Sequence, residues 1–331
     1  MKLIKRINNF VPLAFWVVLV FSCGNEKRIA LKTDAGKNEA KPLIALSILP
    51  QNYFARRIGG DLIGTVVLVG PGQNPHNYEI SPRQMSDLAK ADAWILSGAE
   101  FEISLKPKIA GAFPALKIID GTEGVRFRFL EDNDHESAGL REARGSVSPL
   151  DSSGPELDRH SWLGLEPAKI MAAHVRDFLC AADGEHADLY RRNCEELFAD
   201  MDREFKQLRK DLATLKGEAV FVYHPSFGYF LDEFGIRQEA VETGGKEPAP
   251  RQLRKLIEKA RSEKVKVIFV QAQFPVESAQ AAAQAVGAEL ISLDPLAEDW
   301  LANIVHIGGA LKKSAALNGE GALGSKAVQG E

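Results

Sequence analysis

The chain lacks several features that mark common functional classes. It has no stripe of basic residues interleaved with aromatic ones, and its formal net charge is −4, so we expect no nucleic-acid partner. It contains neither a His-Glu-x-x-His motif nor a Gly-x-Ser-x-Gly motif, which are typical of zinc proteases and serine hydrolases. Its 331 residues, 45% of them hydrophobic, indicate instead a globular protein with room for two domains.

Long hydrophobic runs are also absent, apart from one close to the N-terminus. The run Phe10–Phe21 follows a short basic segment with Lys2 and Arg6, and it is too short for an ordinary membrane span. This pattern is typical of a signal peptide. The run ends in Ser22-Cys23, and a small residue followed by cysteine resembles the bacterial lipobox, in which the cysteine is lipidated. A plain secretory signal with an incidental cysteine is the alternative.

We therefore predict a lipoprotein signal peptide over residues 1–22 and a mature chain that begins with Cys23. Lipid on Cys23 would anchor the protein to a bacterial membrane, facing the periplasm or the cell exterior. Residues 23–42 are polar and charged and contain no aromatic side chain, which predicts a flexible tether.

Beyond the tether, apolar segments of strand type alternate with segments of helical periodicity. Such alternation indicates parallel sheets covered by helices. We predict an α/β fold of two βα lobes, each with a four-stranded, mostly parallel sheet, joined by a long rigid backbone helix. The N-terminal lobe is predicted over 43–163, the linking helices over 164–215, and the C-terminal lobe over 216–312.

Two ranges break this alternation. Residues 120–159 are polar and rich in Gly, Ser and charge, which indicates a long surface loop within the N-terminal lobe. This loop contains one histidine, His135, and the sequence leaves open whether it is simply solvated or captures metal. The Gly-, Ala- and Ser-rich range 313–331 is predicted to be a disordered tail.

Two cysteines remain besides Cys23. Cys180 and Cys194 both fall in segments with helical spacing. In an exported protein such a pair can be bridged, and buried free thiols are a comparable alternative. The sequence leaves both states open.

Three histidines and one aspartate occupy related positions in this pattern. His76 lies in a Gly/Pro-rich loop after the second strand, His224 directly follows the predicted strand 219–223, and Asp294 follows the last strand. Ligands of open α/β sheets bind beyond the carboxyl ends of the strands. His160 lies at the seam, just before the joining helices. We expect these four residues to face one another across the cleft between the lobes.

Three imidazoles and one carboxylate form a ligand set for a divalent transition metal. Neutral imidazole nitrogen suits zinc, whereas a site made mainly of carboxylates would favour manganese or a harder ion. Four protein ligands also close the coordination shell of zinc, as in binding sites, whereas catalytic zinc keeps an open position. Zn²⁺ is therefore the expected metal, with Mn²⁺ as the alternative, and we expect no enzymatic activity.

The chain also resembles a known family, the zinc/manganese-type (ZnuA/TroA-like, cluster A-I) substrate-binding proteins of metal ABC transporters. The resemblance covers roughly residues 43–311. It rests on the following motifs: Gly72-Gln-Asn-Pro-His-Asn-Tyr-Glu79, Ser81-Pro82, Ala91-Asp-Ala-Trp-Ile-Leu-Ser-Gly98, Phe101-Glu102, His160-Ser-Trp-Leu163, Tyr190, Asn193, His224-Pro-Ser-Phe-Gly-Tyr-Phe230, Glu247-Pro248 and Leu293-Asp-Pro-Leu296.

The resemblance implies an extracytoplasmic receptor that captures zinc and delivers it to the membrane permease of an ABC transporter. It implies the same four metal ligands, His76, His160, His224 and Asp294. Manganese members tend to carry glutamate where His224 stands, so the resemblance also favours zinc. We expect a monomer. A zinc-dependent hydrolase that uses a metal-bound water and a surface adhesin of the same fold are the alternatives.

Replacing Cys23 tests the predicted anchor. We expect Cys23→Ala to leave the membrane fraction or to remain unprocessed, because the several acyl chains of a bacterial lipoprotein anchor far more firmly than one chain. Cell fractionation followed by immunoblotting measures both outcomes, with Cys180→Ala as the control. Membrane retention of Cys23→Ala at the mature size would contradict the prediction.

Overall fold

The first four strands of the protein form one parallel sheet. In the computed structural model, the described residues are 41–130, 157–240, 250–263, 265–274 and 276–327. The strands of the first sheet lie in the order β2-β1-β3-β4 and are all parallel. Their bounds are β1 Leu43–Ile48, β2 Gly64–Val69, β3 Ala93–Leu96 and β4 Lys117–Asp120, and the helices between them are α1 Leu49–Gly59, α2 Pro82–Leu88 and α3 Phe101–Ala112.

Two long helices follow this sheet. α4 spans Leu165–Ala182 and α5 spans Ala187–Asp211, and the two pack against each other after a short turn. α5 is 25 residues long, about 37 Å at the usual helical rise, and it contacts α1 of the first half. Its buried face follows helical spacing. The buried residues are Ala187, Tyr190, Cys194, Leu197, Met201, Phe205 and Leu208.

The last four strands repeat the arrangement of the first four. Their order is β6-β5-β7-β8, again with every pairing parallel. The strand bounds are β5 Ala219–Val222, β6 Arg237–Ala240, β7 Val267–Gln271 and β8 Glu289–Leu293. The helices are α6 Gly228–Asp232, α7 Pro250–Ser262, α8 Val276–Val286 and α9 Trp300–Ala327, of which α9 packs on α5.

The predicted α/β fold with two four-stranded sheets is confirmed. The inner strands are continuous apolar runs, as expected when helices cover both faces of a parallel sheet. β3, for example, is buried along its whole length, and so is β7. The lobe boundaries stay predictions, because all described residues belong to a single unit, 41–331. Among the described helices, none combines the length and apolar character needed to cross a membrane.

The last helix is longer than the sequence indicated. We predicted a final helix that ends near residue 311 and a disordered tail over 313–331, but α9 continues to Ala327. Alanine, leucine, lysine and glutamate, all strong helix formers, offset the glycines of this range. Lys312 pairs with Asp211 of α5 at 2.9 Å, and the Ser314 hydroxyl is buried and donates to the Leu311 carbonyl.

Several predicted segments lie outside the described residues. They include the signal peptide, the tether up to residue 40, and His135 with the central part of the loop 120–159. The two ends of that loop are described. They meet in an antiparallel bridge between Phe129 and Leu157, which returns the chain to the first half just before His160.

The two cysteines of the helical region are free thiols. Cys194 is buried in α5, and this burial raises the pKa of its thiol to about 11. The Cys180 thiol at the end of α4 is partly exposed and donates to the Ala187 carbonyl at 3.5 Å. Of the two alternatives, the structure contains the free thiols and no disulfide between Cys180 and Cys194.

A thiol titration checks this result. The protein carrying Cys23→Ala, denatured without reductant, should give two titratable thiols per chain. In the native protein Cys194 should react much more slowly than Cys180, because a buried thiol with a raised pKa exposes little thiolate. An absence of free thiol in the denatured protein would instead demonstrate the bridge.

Candidate metal centre

His76 is presented by a tight turn beyond β2. Gly72 has φ +72°, a left-handed conformation that favours glycine, and it lets the chain reverse after the strand. The Asn74 side chain then accepts a hydrogen bond from the His76 N–H at 3.0 Å and caps the short 3₁₀ turn Pro75–Asn77. The local sequence Asn-Pro-His thus fixes the backbone that carries the imidazole.

The His76 ring is oriented by a carboxylate from the next loop. Its Nδ1 lies 3.0 Å from Oε2 of Glu100, the residue that precedes α3. A carboxylate accepts, so neutral His76 carries its proton on Nδ1 and presents the lone pair of Nε2. This is the usual way in which metal-binding histidines are oriented.

A second carboxylate orients His160 in the same way. Asp158 Oδ1 lies 2.9 Å from His160 Nδ1 and also accepts the His160 backbone N–H at 3.0 Å. Asp158 is fully buried, which on its own would raise its pKa. The hydrogen bonds from His160 and the nearby charge of Arg128 outweigh burial and lower the pKa, so Asp158 remains a carboxylate.

Asp158 also connects the two halves of the molecule. Its Oδ2 pairs with Arg128 Nη1 at 2.8 Å, and Arg128 Nε pairs with Asp232 of α6 at 3.0 Å. The Tyr229 hydroxyl of α6 donates to the Asp158 carbonyl at 3.0 Å and accepts the Arg128 N–H at 2.9 Å. α6, which the sequence did not predict, thus holds the segment that positions His160.

His224 is the most deeply buried of the three histidines, with 3% of its surface exposed. It follows β5 after one residue, and the Phe274 ring stacks on its imidazole with centroids 4.7 Å apart. Burial lowers the pKa of His224 well below its ordinary value, and the neighbouring His160 and His76 lower it further. His224 therefore stays neutral at physiological pH and keeps a lone pair for a metal.

The three rings meet at their Nε2 atoms. His224 Nε2 lies 3.1 Å from His76 Nε2 and 3.2 Å from His160 Nε2, and all three atoms lie within 4.8 Å of one another. Two nitrogen ligands of a tetrahedral zinc ion, each 2.0–2.1 Å from the metal, are about 3.3 Å apart. With their Nδ1 protons directed at carboxylates, neutral His76 and His160 would present their Nε2 lone pairs to a shared cation.

Asp294, the fourth predicted ligand, stands apart from the three histidines. In the part of the chain that the structure describes, the group of ligand atoms contains only the three histidines. Asp294 Oδ1 accepts instead from Gln273 Nε2 at 2.5 Å and from the Leu296 N–H at 2.8 Å, an arrangement that stabilises the turn after β8. No described residue donates to Oδ2, so metal ligation by Asp294 stays a prediction that requires this oxygen.

Two tryptophan indoles connect the turn that carries His160 with the turn that carries Asp294. Trp162 Nε1 donates to the Pro295 carbonyl at 2.8 Å, and Trp300 Nε1 donates to the Trp162 carbonyl at 2.7 Å. Both indoles are buried. The two halves of the centre are therefore connected by buried hydrogen bonds as well as by the long helices.

Sequence reasoning located the three histidines and missed the carboxylates that orient them. Asp158 stands two residues before His160, and Glu100 follows the strand adjacent to β1 in the sheet. A rule that looks for an acidic residue near each predicted histidine ligand would have found Asp158. Glu100 is 24 residues from His76, so only the fold brings the two together.

Comparisons with known proteins identify the family of the chain. The sequence model of the family "Zinc-uptake complex component A periplasmic" (ZnuA) matches residues 44–313. The high-affinity zinc uptake system protein ZnuA of Yersinia pestis is 25% identical over 268 residues, which cover 78% of this chain and 84% of that protein.

Solved structures show the same fold. A crystal structure of ZnuA superposes with a TM-score of 0.72 at 30% identity, covering 82% of this chain and 98% of that chain. A manganese-bound periplasmic metal-binding protein from Candidatus Liberibacter asiaticus has a TM-score of 0.67 at 19% identity, covering 83% and 99% of the two chains. The second likeness concerns the fold alone.

Gly228 offers a test of how His160 is held. A Cβ at Gly228, the first residue of α6, would occupy the position of Arg128 Nη1, so Gly228→Ala displaces Arg128 from Asp158. Because groups that support a ligating histidine typically contribute 10- to 100-fold to metal affinity, we expect zinc affinity to fall about tenfold or more by calorimetry.

Gly111→Ala in α3 is the matched control, because a Cβ there meets open space. This control should bind zinc like the wild type. An unchanged affinity in Gly228→Ala would mean that the pair Arg128–Asp158 does not support the centre.

Proposed function

Because the chain belongs to the ZnuA family of periplasmic zinc-uptake components, we propose that it captures zinc outside the cytoplasm and delivers it to an ABC transporter permease. The observation that carries the proposal is the convergence of the Nε2 atoms of His76, His160 and His224. All three come from loops at the carboxyl edges of the sheets or at the seam between them, where open α/β folds bind ligands.

The proposed cargo is zinc, with manganese as the alternative. Three neutral imidazoles form a nitrogen-rich set, which suits zinc, whereas manganese prefers oxygen ligands in an octahedral arrangement. The spacing of the Nε2 atoms, 3.1 and 3.2 Å, agrees with neighbouring ligands of a tetrahedral ion. We propose Asp294 as the fourth ligand, through Oδ2, which would supply negative charge against the dication.

Binding without turnover follows from this ligand count. Four protein ligands leave no position for the activated water that zinc hydrolases need. The receptor would instead enclose the ion between two halves that α4, α5 and the buried hydrogen bonds of Trp162 hold together. We propose that these links limit the motion by which the ion enters and leaves.

The remaining partners follow from the same role. We propose that lipid on Cys23 keeps the receptor at a bacterial membrane and that residues 23–42 act as its tether. The protein would act as a monomer that docks on the permease. Lipid attachment keeps the receptor close to its partner, which raises the effective concentration for docking.

Substitutions of His224 test the proposed cargo and ligand. His224→Ala removes one imidazole from the centre, so zinc affinity should fall by more than the roughly 10- to 100-fold typical of a lost supporting contact. His224→Glu keeps a ligand but adds charge and hardness, and should shift the relative preference toward manganese. Calorimetric titration of the metal-stripped proteins with zinc and with manganese measures both effects.

The exposed residue His306 of α9 provides the matched control. His306→Ala should bind zinc with the stoichiometry and affinity of the wild type. If His224→Ala also does so, His224 is not a ligand and the proposed site is wrong.

A further inference from the structure

The turn after β7 contacts both ligands that the second sheet is proposed to supply. We propose that Gln271 and Gln273 are positioning residues of the metal centre: Gln271 fixes His224, and Gln273 fixes Asp294 so that a single carboxylate oxygen faces the metal. This inference rests on the proposed function, because it takes His224 and Asp294 as ligands.

The sheet order explains how one short segment reaches both residues. β7 lies between β5 and β8, and His224 follows β5 whereas Asp294 follows β8. The register pairs Gln271 with Leu293, the residue before Asp294. β7 ends at Gln271 and the chain then turns, because the Phe274 N–H donates to the Gln271 carbonyl at 3.1 Å. Gln271 at the end of the central strand therefore reaches the segment that follows β5, and Gln273 in the turn reaches the segment that follows β8.

Beyond the end of β5, the Gln271 side chain makes the hydrogen bonds to the His224 backbone that a neighbouring strand would make within the sheet. Its Oε1 accepts the His224 N–H at 3.0 Å, and its Nε2 donates to the His224 carbonyl at 2.5 Å and to Ser226 Oγ at 3.0 Å. The side chain is 1% exposed, so no water competes for these bonds. Since His224 Nε2 takes part in both short Nε2 distances, its backbone position sets the spacing of the whole centre.

Gln273 binds one oxygen of the Asp294 carboxylate. Its Nε2 donates to Asp294 Oδ1, which also accepts the Leu296 N–H, so Oδ2 is the oxygen left for a metal. A ligand that offers one oxygen suits four-coordinate zinc, whereas a two-oxygen ligand raises the coordination number toward that of manganese. Gln273 Oε1 is buried and has no hydrogen-bond partner among the described residues. Burying this oxygen unpaired costs free energy, and the hydrogen bond from Gln273 Nε2 to Asp294 gives the side chain a reason to keep this orientation.

The first sheet contains a matched control. Gln51 is fully buried and joins the ends of β1 and β3, because its Oε1 accepts the Ser47 N–H at 2.9 Å and its Nε2 donates to the Leu96 carbonyl at 3.0 Å. The strands β1 and β3 occupy the positions in their sheet that β5 and β7 occupy in the other. Neither Ser47 nor Leu96 is a proposed ligand.

The test compares Gln271→Met, Gln273→Met and Gln51→Met, each of which keeps the side-chain length and removes the amide. The metal-stripped proteins are titrated with zinc and manganese, and cobalt(II) absorption in the visible range reports the coordination geometry. We expect Gln271→Met to lose zinc affinity about 10- to 100-fold and to change the cobalt spectrum. Gln273→Met should lower the ratio of zinc affinity to manganese affinity.

Gln51→Met and Gln271→Met should both unfold at a lower temperature than the wild type, yet Gln51→Met should keep the wild-type affinity and cobalt spectrum. If it loses affinity equally, the effect is general destabilisation and the inference is overturned. An unchanged spectrum and affinity in Gln271→Met, or an unchanged metal ratio in Gln273→Met, also overturns it. Should Gln271→Met fail to fold, Gln271→Asn, whose amide is one methylene too short to span His224, must give the same spectral change.

These failures differ from a failure of the proposed function. If the wild type binds no zinc, or if His224→Ala binds it normally, the proposed function is wrong. If wild type and His224→Ala behave as expected and only the glutamine variants do not, the positioning role alone is wrong.

Discussion

The structure depends on three imidazoles that turn their Nε2 atoms toward one another at 3.1 and 3.2 Å. A divalent cation between these nitrogens would be bound by all three rings at once. Each histidine has a supporting hydrogen bond away from its Nε2 atom. Glu100 and Asp158 bind the Nδ1 atoms of His76 and His160, and Gln271 binds the backbone of His224. These supports keep the lone pairs directed at one point before any metal arrives, which lowers the cost of binding.

The fold supplies this convergence through two equivalent sheets. Each places its first strand in the interior, so the loops that follow the strands meet along one edge. α5 runs beside both halves, which are also bridged by a buried hydrogen bond of the Trp162 indole and by the ion pair of Arg128 with Asp232. Buried hydrogen bonds with all partners in place favour one arrangement of the halves over others. The structure is consistent with a receptor that retains one geometry around its cargo rather than a flexible clamp.

The sequence predicted the architecture well because the parallel strands are short apolar runs between helical segments. It also identified the three histidines that converge, since each follows a strand or lies at the seam. The sequence did not predict contacts between residues that are distant in the chain. Glu100 lies beside His76 only because β3 and β2 flank β1, and the turn that holds Asp294 Oδ1 depends on Gln273 from another loop. The extension of α9 was missed because the glycines of this range were weighted above the alanine, leucine, lysine and glutamate residues between them.

The central claim is that a metal ion lies among the Nε2 atoms of His76, His160 and His224. X-ray absorption at the zinc edge of the zinc-loaded protein measures the ligands directly. We predict three imidazole nitrogens and one oxygen at about 2.0–2.1 Å, with the multiple-scattering features of histidine rings. A shell with fewer than three imidazoles, or one that contains sulfur, would contradict the assignment of these three residues as the binding site.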